Sequence, residues 1–272
     1  EAEQAANEAR EAARQVGNAV VEGKALMQIG ALYENPLDFT QALEWYQKAL
    51  VLLENGYSPA DTAAVHNSIG SVYRLYSLPS QSIPHYVQSL TIYKSLGLHE
   101  SVCSVMMNLG VVYGSLSDYS TAQRYLYDAL TLSQHINHRS LIAQAFANLG
   151  SSYTFQSNFT KALDYQGRAL TLFEELHMSS EAATVMSNIG TIYSSLSDPM
   201  KALDYYIKAL AIQEKTGNSS KVAIVTASIG NAYLAMEDYT HGLEFYYKAL
   251  QLFERNGNRE ATAGTYSNIG EA

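Results

Sequence analysis

The side chains best suited to chemistry in this sequence are amides that recur at a fixed spacing. Asn108, Asn148 and Asn188 stand forty residues apart. A side-chain amide both donates and accepts hydrogen bonds, so it can pair with the backbone of a polypeptide whatever the sequence of that polypeptide. The chemistry predicted by this ladder is therefore non-covalent recognition of a peptide or protein.

Residues for covalent or metal chemistry are sparse. The single cysteine, Cys103, lies beside valines and is expected to be a small packed residue. Two of the seven histidines, His135 and His138, are three residues apart, but no third metal ligand is in register with them. The sequence has no glycine-rich phosphate loop, nucleophile elbow or paired-carboxylate motif. We therefore expect this segment to have no catalytic residue, no metal and no cofactor.

Composition excludes several kinds of partner. The 272 residues carry a net charge of −9, which argues against a grip on the phosphates of nucleic acid. No run of apolar residues is long enough to span a bilayer, and the acidic, alanine-rich start is unlike a secretory signal. One cysteine is compatible with a reducing compartment. We expect a cytoplasmic protein that binds no nucleic acid and does not insert into membranes.

A glycine repeat positions the amides. Glycines occur every forty residues, each preceded by Ile or Leu, and a tyrosine follows three residues after each of the first six. A fixed period of this size predicts an array of one repeated supersecondary unit. The glycines are Gly30, Gly70, Gly110, Gly150, Gly190, Gly230 and Gly270.

Each repeat is interpreted as two helices. Met186, Ile189, Gly190 and Tyr193 have the spacing of one face of a helix, the first helix of the repeat. A glycine inside a helix costs about 1 kcal/mol, so we expect it to allow close approach of a partner helix. That partner, the second helix, begins at a residue able to cap its free amides. The predicted caps are Asp118, Asn158, Asp198 and Asp238.

The second helix has a small-residue face and a charged face. Alanines recur at two positions, and we expect them to lie opposite the glycine: Ala42 and Ala49, Ala122 and Ala129, Ala162 and Ala169, Ala202 and Ala209. Acid and base alternate four residues apart on the solvent side. These pairs are Glu44 and Lys48, Asp164 and Arg168, Asp204 and Lys208, and Glu244 and Lys248.

The combined pattern resembles the tetratricopeptide repeat, whose signature also has Leu-Gly followed by Tyr and a later Ala-x-x-x-aromatic. The tryptophan and closing proline of that signature are missing here. The forty-residue period is similar to that of Pins/LGN-type adaptors, Rap-type regulators and the repeat regions of bacterial cyclases and sensor kinases. The resemblance implies an all-α, right-handed superhelical solenoid of antiparallel helix pairs, with a concave groove that binds a protein or peptide.

We expect residues 1–272 to form a single solenoid domain. Because the first and last repeats are partial, we expect a segment of a longer protein, and self-association through the exposed terminal repeats is one further interpretation. The predicted organisation is a second helix at 1–17, full repeats at 18–55, 56–97, 98–137, 138–177, 178–217 and 218–257, and a truncated first helix at 258–272.

The second repeat departs from the pattern. Pro79 and Pro84 both fall near the start of its second helix, and Leu78 replaces the capping Asp. A proline lacks an amide hydrogen and clashes with the preceding turn. We predict that this helix begins late or is kinked between Ser80 and Pro84; the alternative is a proline tolerated in the first turn.

One face of the first helices is almost free of charge. We call the positions six before, two before, one after and five after each glycine the polar face, since they point away from the glycine side. Only Lys24 is charged among its twenty-four residues in the six full repeats. The predicted peptide-binding residues, with Arg74 one position away, are Lys24, Gln28, Arg74, Leu75, Asn108, Val111, Gln144, Asn148, Phe155, Asn188 and Asn231.

Two interpretations of the polar face remain open. It either binds a peptide, or its small polar residues only let neighbouring first helices pack side by side. With so few cations, a clamp for an acidic tail is not expected, and Phe155 and Leu75 favour a ligand with apolar side chains. We expect a protein-binding scaffold, the regulatory or sensory segment of a signalling protein. The alternative is a regulator of a small signal, or part of an enzyme whose catalytic domain lies elsewhere.

Overall fold

The computed structural model describes residues 2–34 and 39–271, and within them the chain is all-α. The described helices are α1 (Ala2–Gln15), α2 (Ala19–Leu32), α3 (Phe39–Asn55), α4 (Pro59–Leu75), α5 (Pro79–Ser95), α6 (His99–Ser115), α7 (Tyr119–His135), α8 (Arg139–Phe155), α9 (Phe159–Glu175), α10 (Ser179–Ser195), α11 (Pro199–Thr216), α12 (Ser219–Ala235), α13 (Tyr239–Arg255) and α14 (Arg259–Glu271). In this part of the chain, none is long and apolar enough to cross a membrane.

The helices alternate as the glycine period predicts. The glycines lie in the even-numbered helices, α2 to α14, which are the first helices, and the odd-numbered ones are the second helices. Most have 17 residues, for example α6 and α7. Three residues, Leu116 to Asp118, connect these two helices, and so short a connection makes them antiparallel.

The predicted caps are confirmed. The side chains of Asp118, Asn158, Asp198 and Asp238 each accept a hydrogen bond from the backbone amide three residues later, at 3.1 to 3.3 Å. The residue before each cap has a positive φ, between 57° and 62°. This left-handed residue reverses the chain after the first helix, which aims the capping side chain at the start of the second.

The residues opposite the glycines differ from the prediction. A Cβ atom at Gly190 would lie 2.6 Å from the ring of Tyr206, and one at Gly70 would lie 2.9 Å from the ring of Tyr86. The prediction named only the small residues, and the structure corrects it. The alanines are buried and let the helices approach, but the glycine itself makes room for the large side chain between them. The other such residues are Tyr46, Leu126, Gln166 and Tyr246.

Helix α5 begins at Pro79, so the predicted late start is wrong, while the kink between Ser80 and Pro84 stays a prediction. Pro79 occupies the first helical position, where its missing amide hydrogen costs nothing. Pro84 lies inside the helix. The first turn is closed by two hydrogen bonds that each join residues three positions apart. The amide of Gln81 donates to Leu78 O at 3.0 Å, and the hydroxyl of Ser82 donates to Pro79 O at 2.6 Å.

Charged pairs cover the outer side of the second helices, largely as predicted. Asp164 and Arg168 are 3.2 Å apart, and the Asp204–Lys208 and Glu244–Lys248 pairs are each 2.6 Å apart. Exposed pairs of this kind contribute little to stability, because water screens the attraction between the two charges. In the first repeat, the Lys48 ammonium instead lies 4.5 Å from the centre of the Trp45 ring.

The chain divides into two compact units, residues 1–141 and 142–272. A core cluster of the first unit includes Ile29, Tyr46, Leu53 and Ile69, from helices α2, α3 and α4. A core cluster of the second includes Tyr206, Ala209 and Ile229, from α11 and α12. Both clusters join a helix pair to the first helix of the following repeat, so within each unit these adjacent repeats share a core.

Candidate functional site

The polar face is accessible to solvent in both units. Of its twenty-four positions only Asn35 falls outside the described residues, and every other one is half-buried or exposed. In the first unit Leu75 is 55% exposed and Val111 39%, and in the second Phe155 is 70% exposed and Ile224 55%. These side chains are therefore not buried in the core, and each unit has exposed apolar surface beside the polar groups of this face.

Buried tyrosines reach this face from behind. The hydroxyl of Tyr86 lies 3.1 Å from Ser71 Oγ, that of Tyr206 lies 3.2 Å from Thr191 Oγ1, and that of Tyr246 donates to Asn231 Oδ1. In each case the polar-face residue directly follows the repeat glycine. The tyrosine passes through the space that the glycine leaves, so the glycine connects the core to the orientation of a surface hydrogen-bonding group.

In two other repeats, the second-helix residue beside the glycine makes different hydrogen bonds. Gln166 Nε2 donates to Ala147 O at 3.1 Å and to Ser151 Oγ at 3.3 Å. Tyr46 donates to Glu34 Oε1 at 2.5 Å. Burial, and then the hydrogen bond to Glu34, raise the pKa of Tyr46, and burial raises that of Tyr206. These phenols therefore remain neutral donors at physiological pH.

Two of the predicted site residues of the first unit, Lys24 and Asn108, already have partners within the protein. Lys24 Nζ lies 3.1 Å from Asp61 Oδ2, which balances its charge. Arg74 is half-buried, and its Nε atom has no hydrogen-bond partner in the described residues. Asn108 Nδ2 donates to Asn67 Oδ1 at 3.0 Å. Gln28 is exposed. Lys24 and Arg74 therefore do not form a pair of free cations.

The second unit keeps more of its amides available. Gln144, Asn148 and Asn188 are half-buried. Within the part of the chain that the structure describes, the side chains of Asn148 and Asn188 have no hydrogen-bond partner. Asn231 is exposed and already accepts a bond from Tyr246. The two free amides, together with Phe155, are the strongest part of the candidate site.

One functional candidate does not lie at any of the four positions that define the polar face. Lys221, nine residues before Gly230, directs its ammonium to Ser180 Oγ at 3.2 Å and to Thr184 Oγ1 at 3.0 Å. Thr184 belongs to the polar face, so a cation lies at the edge of that face in the second unit. The corresponding residue of the second repeat is Asp61, the partner of Lys24. Lys221 could have been found from the sequence by comparing the residues that lie nine positions before each repeat glycine.

The thiol of Cys103 is not a nucleophile in this environment. It is fully buried, and its Sγ donates to Ala129 O at 3.7 Å. Burial raises its pKa to about 11, so almost no thiolate is present near neutrality. The prediction that this cysteine is a packed residue is confirmed.

Comparisons with known proteins agree on the fold. Models of the tetratricopeptide repeat match residues 61–135, 141–215 and 227–256. Comparison with curated proteins finds no significant match. BtubC (BKLC) from P. vanneervenii is 20% identical, with 79% of this chain and 91% of that chain covered and a TM-score of 0.66.

Two further solved structures are similar along most of the chain. A Rap protein complexed with Competence and Sporulation Factor is 16% identical, covers 92% of this chain and 74% of that one, and has a TM-score of 0.70. A STAND protein with a tetratricopeptide repeat sensor from Pyrococcus horikoshii is 18% identical, with 91% and 39% covered and a TM-score of 0.67. At these identities the likeness concerns the fold alone.

Proposed function

Because the chain belongs to the tetratricopeptide repeat family, we propose that the polar face of its first helices binds a polypeptide. The observation that carries this proposal is the polar face of the second unit. Its twelve positions in α8, α10 and α12 carry no charge, and all are at least partly exposed. A surface that is only solvated would carry acids and bases, as the outer sides of the second helices do.

The chemistry of the face defines the ligand. Asn148 and Asn188 can each donate to a carbonyl and accept from an amide of a peptide backbone. Phe155 and Ile224 add exposed apolar area to which apolar peptide side chains can bind. We expect a peptide of low net charge, held by backbone hydrogen bonds and a few apolar contacts, whose affinity depends little on salt concentration.

We further propose that the chain is a regulatory or sensory segment of an intracellular signalling protein. Two structures of the same fold support this role. One is a Rap protein complexed with Competence and Sporulation Factor, and the other is a protein whose tetratricopeptide repeats are described as its sensor. The second of these proteins is a signal transduction ATPase, and a neutral, solvent-accessible surface suits a sensory task.

The test uses a peptide obtained on the protein itself. Random peptides displayed on phage are selected on the whole chain, and the strongest binder is synthesised and titrated by fluorescence anisotropy. Replacing Asn148 and Asn188 together by Ala removes at least one net hydrogen bond at each position, worth about 1–3 kcal/mol in all, so affinity should fall about 5- to 150-fold. The matched control replaces Asp164 and Asp204 by Ala, on the outer side of α9 and α11, and should leave the affinity unchanged.

Circular dichroism establishes that both double variants remain folded. The proposal is wrong if the Asn148/Asn188 variant binds as tightly as the parent protein, or if the Asp164/Asp204 control loses the same affinity. A selection that yields only binders indifferent to the polar-face substitutions would place the binding surface elsewhere on the molecule.

A further inference from the structure

Two histidines face each other between α4 and α5 of the first unit. His66 Nδ1 and His85 Nδ1 are 3.1 Å apart, and the ring centres are 5.4 Å apart. Both side chains are half-buried. Tyr73 stacks on His85 with the ring centres 5.7 Å apart, which helps to fix the orientation of that imidazole. The two nitrogens are thus held together by two packed helices.

Other repeats place different residues at these two positions, four before and fifteen after the glycine. The fourth repeat has Phe146 and Tyr165, with ring centres 5.9 Å apart. There, Arg168 lies 5.6 Å from the centre of the Tyr165 ring. Lys48, Lys208 and Lys248 lie over the corresponding rings of their repeats at 4.5 to 5.5 Å.

The second repeat has lost both parts of this arrangement. Its two positions are histidines, and the position of the cation is occupied by Gln88. In four of the other repeats this place holds an aromatic ring under a Lys or Arg, whereas in the second repeat it holds two nitrogen ligands with a neutral neighbour.

The distance between the nitrogens suits a metal ion. Two imidazole nitrogens at about 2.0–2.1 Å from one ion are roughly 2.9 Å apart in square-planar geometry and roughly 3.4 Å apart in tetrahedral geometry. The observed 3.1 Å lies between these values. Burial lowers the pKa of both histidines, so both are neutral near pH 7, which is the form that binds metals.

We propose that His66 and His85 bind a divalent transition-metal ion, Zn²⁺ or Cu²⁺, through their Nδ1 atoms. No group of three or more potential ligands occurs among the described residues, so water completes the coordination. In the absence of metal, one imidazole donates its Nδ1–H to the other. On binding, that imidazole carries its proton on Nε2 instead, and the ion links α4 to α5.

The test titrates the whole chain with ZnCl₂ by calorimetry. The key variant replaces His66 by Phe and His85 by Tyr, which rebuilds the pair that the fourth repeat already uses and should therefore fold. The matched control replaces His135 and His138 by Ala. We expect one zinc ion per chain in the parent protein and in the control, and at least a tenfold loss of affinity in the His66/His85 variant.

Two further measurements separate this site from chance binding to histidines. Zinc should raise the melting temperature of the parent and the control but not of the His66/His85 variant, because only a ligand of the native state stabilises it. Nitrogen NMR of the parent should show both imidazoles protonated at Nε2 once zinc is bound. Equal zinc affinity in all three proteins, or an Nδ1–H signal from the pair that persists at saturation, would overturn the proposal.

Discussion

Replacing Gly190 by Ala tests whether the repeat glycine exists to accommodate the second-helix tyrosine. The new Cβ would lie 2.6 Å from Cε1 and 2.8 Å from Cδ1 of Tyr206. That ring is only 4% exposed, and its hydroxyl is held 3.2 Å from Thr191 Oγ1, so it has little freedom to move away. Overpacking of this kind costs about 1–3 kcal/mol.

The substitution also has a favourable part, because Ala is a better helix former than Gly by about 1 kcal/mol. Gly167 supplies the matched control. It lies inside the neighbouring helix α9, and a Cβ there would meet nothing within 4 Å. Gly167→Ala should therefore stabilise the protein by about 1 kcal/mol. Since both variants share this gain, the difference between them isolates the packing cost, about 1–3 kcal/mol.

The assay is urea unfolding followed by circular dichroism, with equal slopes required for the comparison. A second pair of proteins, made with Tyr206→Ala, closes the cycle. Without the ring, Gly190→Ala should become stabilising by about 1 kcal/mol, as at Gly167. If Gly190→Ala is as stable as Gly167→Ala in the parent protein, the glycine does not serve to admit the tyrosine.

Two further predictions concern titratable groups. Hydrogen bonds from the first turns of the second helices lower the pKa of Asp118, Asp198 and Asp238, so their contribution is complete at neutral pH and is lost as the pH falls below about 4. Changing all three to Asn, the cap already present at Asn158, should flatten the acid side of a plot of urea midpoint against pH. The pKa of Cys103, raised from 9.0 to about 11, lowers its thiolate fraction near pH 8 about 100-fold. Ellman's reagent should therefore modify the native protein at least that much more slowly than the urea-unfolded protein, and equal rates would contradict the burial of the thiol.

Much of the fold follows from local sequence signals. The forty-residue glycine period, the capping side chains and the helical spacing of apolar residues each act within a few residues of the chain. Asp198 caps α11 because the amide of Lys201 is three residues away, whatever packs around it. The number of charged residues on the polar face could also be predicted from the sequence, because the helical period alone determines which residues lie on one face of a helix.

The candidate site was less predictable, because its details depend on contacts between helices. Asn108 and Asn188 lie at the same position of their repeats, so the sequence predicted peptide binding for both. In the structure Asn108 is hydrogen-bonded to Asn67 of the preceding repeat, whereas Asn188 has no partner within the described residues. Lys24 was the one charge on the polar face, and the structure pairs it with Asp61, thirty-seven residues away. Lys221 was missed because its Cα lies off the face that its ammonium reaches.

The sequence by itself determined a repeated pair of helices with a neutral side, because period, capping and charge are properties of residues a few positions apart. Only the tertiary structure decided what fills the space beside each glycine and which polar groups remain free. Tyr206 lies sixteen residues from Gly190, and His85 lies nineteen from His66, in each case on a different helix. Such contacts depend on how two helix surfaces fit together, and neither helix carries that information alone.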